Sequence, residues 1–259
     1  MRFVHFKSID STNAQAKRYA NPKIGEGDFG PIWISADNQT HGIGRRGREW
    51  VSNDGNLFCT GLYPQTGSPA SAARLSFAAA LAVAQTLDTY IDPSLVQIKW
   101  PNDVLVNGKK ISGILLESGA HNGKMWTSIG IGMNLTSCPD IEGYDTTYLL
   151  DHIAPEKING AEPLYTGAQA VLAILAQKFD YWFTQYNAHG FSALREAWLQ
   201  RARGIGGDVT VRLPNSTIIG TALGMDEDGA LEVRVKSGDD VGKTVKIHAG
   251  DVFFSAPVL

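Results

Sequence analysis

The sharpest constraint on how this chain folds is a change of texture after Arg203. From Gly204 to Leu259 the apolar residues fall in short alternating runs (Val209–Leu213, Thr217–Leu223, Leu231–Val235 and Thr244–His248), parted by glycine and aspartate turns, with no helical repeat. Strand side chains alternate between faces, so such runs suit strands with one buried face. Their spacing predicts a small antiparallel β-barrel as a second domain over residues 204–259, after a first domain over residues 1–203.

The first 203 residues mix strands and helices. Arg2–Ile9 alternates as a strand does, and Asp10-Ser11-Thr12-Asn13 offers N-caps for a short helix at Ala14–Ala20. Pro31–Ala36 and Leu57–Tyr63 read as strands. Between them Asp37–Gly55 is polar, basic, glycine-rich and aperiodic, a long loop of the kind that is functional in compact domains. Ser71–Tyr90 is a helix with Leu75, Ala78, Ala79, Ala82, Val83 and Leu87 as its apolar positions. Strands follow at Val96–Trp100, Val104–Asn107, Ile111–Glu117 and Trp126–Asn134, with Asn107-Gly108 marking a tight hairpin turn. Gly167–Tyr186 is a second long helix whose stripe of Val171, Leu172, Leu175, Phe179, Trp182, Phe183 and Tyr186 reads as core, and Phe191–Arg201 is helical too.

Composition excludes several classes. Hydrophobic residues are 43% of the chain, enough to bury a core, so a disordered chain is excluded. A net charge of −3 calls for neither nucleic acid nor an anionic membrane. Cys59 and Cys138 are isolated, form no disulfide or metal pattern, and are expected to be buried free thiols. MRFVHFKSID is not a signal peptide, and the longest apolar run, Ala78–Ala84, is too short to span a bilayer, so the chain is expected to be soluble and cytoplasmic.

Three constellations carry chemistry. Gly42-Ile43-Gly44-Arg45-Arg46-Gly47-Arg48-Glu49-Trp50 matches the dinucleotide pattern G-x-G-x-x-G formally. That pattern needs a strand before it and a helix starting within it, and neither is present. Three arginines within four residues instead repel one another unless an anion sits among them, and the glycines let backbone N–H groups approach it. On composition alone, a solvated basic loop and an RNA contact remain open. Lys99-Trp100-Pro101-Asn102-Asp103 and Lys110-Ile111-Ser112-Gly113-Ile114 face each other across a hairpin, which brings Lys99, Asn102, Asp103 and Lys110 into one patch; Lys109 reads as solvated. Gly130-Ile131-Gly132-Met133-Asn134 ends a strand in glycines and an asparagine, as packing or as a site.

Together with Asp10-Ser11-Thr12-Asn13 and Gln39, these segments resemble the biotin protein ligase family in order and spacing, over about the first 200 residues. The tail looks like that family's C-terminal domain. The resemblance implies an α+β fold, a mixed β-sheet with flanking helices followed by a small C-terminal antiparallel β-barrel. It implies an ATP-dependent ligase that forms biotinyl-5′-AMP and transfers biotin to a lysine of a biotin carboxyl carrier protein. Biotin would lie against Ser11, Thr12, Asn13, Gln39, Gly42, Ile43 and Gly44, with room left by Gly113. Arg45 and Lys110 would neutralise its carboxylate and the attacked α-phosphate. Arg48 and Lys99 would hold the leaving polyphosphate, with Mg²⁺ bound to ATP rather than to a side-chain cluster. Trp50, Asn102 and Asn134 would border the nucleotide, Trp50 chiefly as a brace for the loop, and Asp103 would orient the acceptor amine or the metal.

Members of the family commonly carry arginine where this chain has Ile43, so weaker retention of the adenylate or altered loop closure is expected. A segment that begins at Asp10 leaves no room for an N-terminal DNA-binding domain, so a repressor role is not expected. A homodimer is among the assemblies that the resemblance implies. The rivals are a lipoate ligase, a nucleic-acid-binding protein using Arg45–Arg48, and a structural interaction module.

Overall fold

The computed structural model describes residues 1–21, 27–65, 68–121, 123–141, 144–153 and 164–254. The last five residues of the expected second domain therefore lie outside the described residues. Among those described, seven strands form one mixed sheet. Its order is β1 (Arg2–Ile9), β2 (Ile32–Gln39), β3 (Leu57–Gln65), β7 (Lys124–Met133), β6 (Lys109–His121), β5 (Asp103–Val106) and β4 (Val96–Lys99). The β1–β2 pair is parallel, because α1 (Thr12–Ala20) forms the crossover between them; the other pairs are antiparallel. Asn107 and Gly108, with φ of 51° and 76°, make the expected tight turn between β5 and β6.

One face of this sheet carries the main core. The expected helix over Ser71–Tyr90 is two helices, α2 (Pro69–Ala73) and α3 (Leu75–Leu87), separated at Arg74. Every residue of α3 except Ser76 and Gln85 is buried, because the helix runs between the sheet and α4 (Ala168–His189). Its alanines let those neighbours approach closely. Ala70–Leu87 has the length and apolarity of a membrane span, contrary to the sequence reading, yet 67% of it is buried inside the protein. The stripe on α4 is core as expected: Phe179 packs edge-on to Trp33 at 5.7 Å and tilted against Tyr63 at 5.0 Å. The other face holds a smaller cluster in which Ala16 and Ala20 of α1 meet Ile32, Ile34 and Leu62.

After α5 (Phe191–Leu199), the backbone of residues 201–203 runs beside β4, exchanging hydrogen bonds with Ile98. The chain then enters a five-stranded antiparallel sheet of order β11 (Thr244–Ile247), β10 (Leu231–Val235), β9 (Thr217–Met225), β8 (Asp208–Arg212) and β12 (Asp251–Phe254). The expected strands are there; the ends of the order, β11 and β12, are not paired with each other, so this small barrel is not closed. Strand β12 was missed; its place is set by pairing with β8. Core residues of this sheet, among them Val211, Leu231 and Val252, join the same buried cluster as α3 and α5. Trp100, 2% exposed, donates its indole N–H to the Gly229 carbonyl at 3.0 Å, tying the first sheet to the second. Trp100→Phe removes that donor and strands a buried carbonyl. A loss of about 1–3 kcal/mol is expected in urea unfolding.

Candidate active site

Three strand positions keep the floor of a cleft open. Along β7, Ile129, Ile131 and Met133 belong to the core, while Gly130 and Gly132 alternate onto the opposite face. A Cβ on Gly130 would lie 2.2 Å from Asn13 Oδ1, and one on Gly132 would lie 2.2 Å from Trp50 Cε2. On β6, a Cβ on Gly113 would meet Trp50 Cζ3 at 2.8 Å and Lys110 Cε at 3.4 Å. Glycine is therefore required there by close approach of side chains from α1, the arginine loop and β6 itself. Lys110 reaches that face through a register shift. Lys110 and Gly113 are three residues apart, and uniform alternation would put them on opposite faces. A bulge between Val104 and Leu105 pairs Leu105 with Lys110 and Asp103 with Gly113, bringing both to the cleft side.

The arginine loop is a small hairpin standing over this floor. Trp50 N donates to Gly42 O at 2.9 Å, Gly44 N to Arg48 O at 2.7 Å, and Ile43 bridges Glu49. Its tip is a turn at Arg45–Gly47, where Arg46 (φ 58°) and Gly47 (φ 71°) are left-handed. A Cβ on Gly42 would come within 2.4 Å of the Trp50 carbonyl, so this glycine closes the base of the hairpin.

The cleft has a volume of about 240 Å³. It is lined by every site residue expected from the sequence except Gly42. One end is polar. Gln39 Oε1 accepts from Thr12 N at 2.8 Å and Thr12 Oγ1 at 3.1 Å, and Thr60 Oγ1 lies 2.8 Å from Thr12 Oγ1 and 2.6 Å from Asn13 Oδ1. Asn13 Nδ2 donates to Glu117 at 3.1 Å, and Ser11 is the N-cap of α1.

The other end is positive. Lys110 Nζ lies 2.8 Å from Asp103 Oδ1 and 5.7 Å from the Trp50 ring. Arg45 donates to Asn102 Oδ1 at 2.9 Å, and Asn102 donates to the Ile114 carbonyl at 2.7 Å. Lys99 lies 5.7 and 5.5 Å from the ring centres of Tyr144 and Phe253, which pack against each other at 6.2 Å. Burial strips water from Arg45 and Lys99, and it holds both below the usual range of their residue type. For Arg48, burial opposes the charge, but Asp251 and Tyr144 more than offset it, leaving its pKa raised.

Some expected residues do other work here. The Asn134 amide donates to the Thr147 carbonyl at 3.0 Å and pins the 144–150 segment beside the cleft. Ile43 is 54% exposed at the mouth, and Trp50 Nε1 is buried without a hydrogen-bond partner. The residues that sequence reasoning missed are Thr60, Glu117, Tyr144, Asp251 and Phe253. Each is a lone residue in an ordinary strand or loop that only folding brings into place: Tyr144 and Asp251 line the cleft, Thr60 and Glu117 bond to Asn13 behind it, and the Phe253 ring lies 5.5 Å from Lys99. Cys59 is buried and lines the cleft, with its thiol pKa pushed up by burial; Cys138 is only half-buried, contrary to expectation, and both are free.

Converging cations beside a hydrogen-bonding slot suit the joining of two anionic molecules. Comparison with known proteins agrees. The model of the biotin/lipoate A/B protein ligase family matches residues 6–134, and that of the biotin protein ligase C-terminal domain matches residues 204–255. The chain is 38% identical to biotin–[acetyl-CoA-carboxylase] ligase of Paracoccus denitrificans, over 95% of this chain and 97% of that one. It is 32% identical to the bifunctional ligase/repressor BirA of Bacillus subtilis, over 96% of this chain and 73% of that one. The fold matches that of Aquifex aeolicus biotin protein ligase in complex with biotin and ATP, with a TM-score of 0.73 at 23% identity over 98% of this chain and 99% of that one. This chain belongs to the biotin protein ligase family.

Two outcomes test the site. Gly132→Ala should push Trp50 off the sheet, cost roughly 1–3 kcal/mol and expose the arginine loop to protease. In a Trp50→Ala background the same change should cost far less. Lys99, with its pKa lowered, loses its charge before an ordinary lysine does as pH rises towards 10.5. Tripolyphosphate binding measured by calorimetry should weaken across that window, and Lys99→Arg should preserve it, because arginine stays charged.

Proposed function

We propose that this chain is an ATP-dependent ligase that forms biotinyl-5′-AMP and then transfers biotin to a lysine of a carrier protein. The observation that carries the reading is the meeting of Arg45, Lys99 and Lys110, from three separate segments, beside the Thr12–Gln39–Asn13 slot. In the first step a biotin carboxylate oxygen attacks the α-phosphorus, a C–O–P mixed anhydride forms, and pyrophosphate leaves with the bonding electron pair. Both reactants are anions, so fixed cations must oppose their repulsion and stabilise the charge that develops. We assign Lys110 and Arg45 to the carboxylate and α-phosphate, and Lys99 and Arg48 to the departing pyrophosphate. Ser11, Thr12, Asn13 and Gln39 offer the hydrogen bonds that a cyclic urea needs. Trp50, Asn102 and Asn134 border the nucleotide, Trp50 with its unpaired N–H.

In the second step the neutral acceptor amine attacks the acyl carbon and AMP leaves. Asp103, held beside Lys110, is positioned to orient that amine. Mg²⁺ is taken to arrive on the triphosphate. The division into a catalytic domain, 1–203, and a C-terminal domain, 204–259, is supported by the two separate family matches. A biotin carboxyl carrier acceptor accords with the name of the Paracoccus relative, a ligase of acetyl-CoA carboxylase; a cytoplasmic location is part of the same proposal.

The test is biotin-dependent exchange of labelled pyrophosphate into ATP. Biotin should drive it and lipoate should not, and Lys110→Ala should slow it about 100-fold or more. Exchange with lipoate alone, or with neither acid, would overturn the reading.

A further inference from the structure

Asp251 belongs to none of the sequence motifs, yet it touches the most strongly basic of them. Its Oδ2 accepts from Arg46 Nη1 at 2.8 Å and from Arg48 Nη2 at 2.5 Å. Arg48 Nη1 also donates to the Tyr144 hydroxyl at 3.3 Å. The two sides of this contact are held very differently. Asp251 begins β12 and is fixed in the ladder opposite Arg212. The arginines stand on the tip of a hairpin whose residues 45–48 are half-buried or exposed. The side chains of Arg46 and Arg48 are themselves 38% and 50% exposed, against 23% for Asp251. If the contact breaks, the arginines move and the carboxylate stays.

Asp251 also lines the cleft, so its charge faces whatever anion enters. A triphosphate oxygen at Arg48 would compete with Asp251 for the same guanidinium and be repelled by its carboxylate. We propose that Asp251 is an internal competitor for the triphosphate, an anion of the C-terminal sheet that occupies Arg46 and Arg48 until nucleotide displaces it. Asp251 thereby sets the affinity for ATP and exchanges the arginine loop between the C-terminal sheet and the nucleotide. The inference rests on the reading of Arg48 as a polyphosphate ligand. A carboxylate that merely braced the loop for ATP would act in the opposite direction, since its loss would weaken binding.

Asp251→Asn, which keeps the shape and removes the charge, decides between these. In pyrophosphate exchange the KM for ATP should fall about three- to fivefold, the scale of a partly exposed ion pair, while the KM for biotin does not follow. The dissociation constant of inorganic tripolyphosphate, measured by calorimetry without biotin, should fall by the same factor, and Asp251→Glu should restore both to wild-type values. Unchanged or weaker tripolyphosphate binding in a folded Asp251→Asn protein overturns the proposal. Tighter tripolyphosphate binding in a protein that shows no biotin-dependent exchange would uphold Asp251 as competitor and sink the ligase reading instead.

Discussion

Positive charge held partly out of water is the constraint on which the rest of this structure depends. A guanidinium or ammonium group loses hydration on burial and regains stability only from an anion or a compensating partner. Here the partners are deliberately incomplete. Lys99 lies beside the packed rings of Tyr144 and Phe253, which ease its loss of water without filling the place of an anion, whereas Lys110, beside Trp50, is paired with Asp103. Arg45 is held by a neutral amide, Asn102. An incoming carboxylate and triphosphate therefore find cations already oriented, with little reorganisation left to do at the moment of reaction.

The surrounding architecture follows from keeping those cations in place and the space before them open. Glycines on β6 and β7 remove Cβ atoms where Asn13 and Trp50 must lie on the sheet. A bulge turns Lys110 to the face that holds Asp103. The C-terminal sheet supplies one wall through Gly250, Asp251 and Val252, and it is docked by Trp100, the neighbour of Lys99. Displacement of a single carboxylate on β12 would consequently be felt both in the arginine loop and in the second sheet.

Much of the fold was legible because its signals are local. Strand alternation in Arg2–Ile9, the Asn107-Gly108 turn and the apolar stripe on Gly167–Tyr186 each depend on neighbours in sequence, and each appears where expected, the helix running three residues further to His189. The break at Arg74 and the strand Asp251–Phe254 were not legible. The first falls in a stretch whose alanine-rich composition reads as helix throughout, and the second is set by pairing with β8 rather than by its own four residues.

The chemical inventory of the site is a property of the sequence: arginines packed too densely to stand without an anion, lysines flanking a hairpin, and glycines in strands that otherwise want side chains. Those are statements about covalent neighbours and their charges, which no fold can alter. Tertiary structure decided which of them meet. It brought Thr60 and Glu117 to the polar end, set Asn134 to pin a loop, and placed Asp251, some 200 residues away in sequence, on the arginines. Contacts of that range depend on sheet register, bulges and the docking of two sheets through one core. A lone aspartate or threonine carries no sign of them until the chain has closed around it.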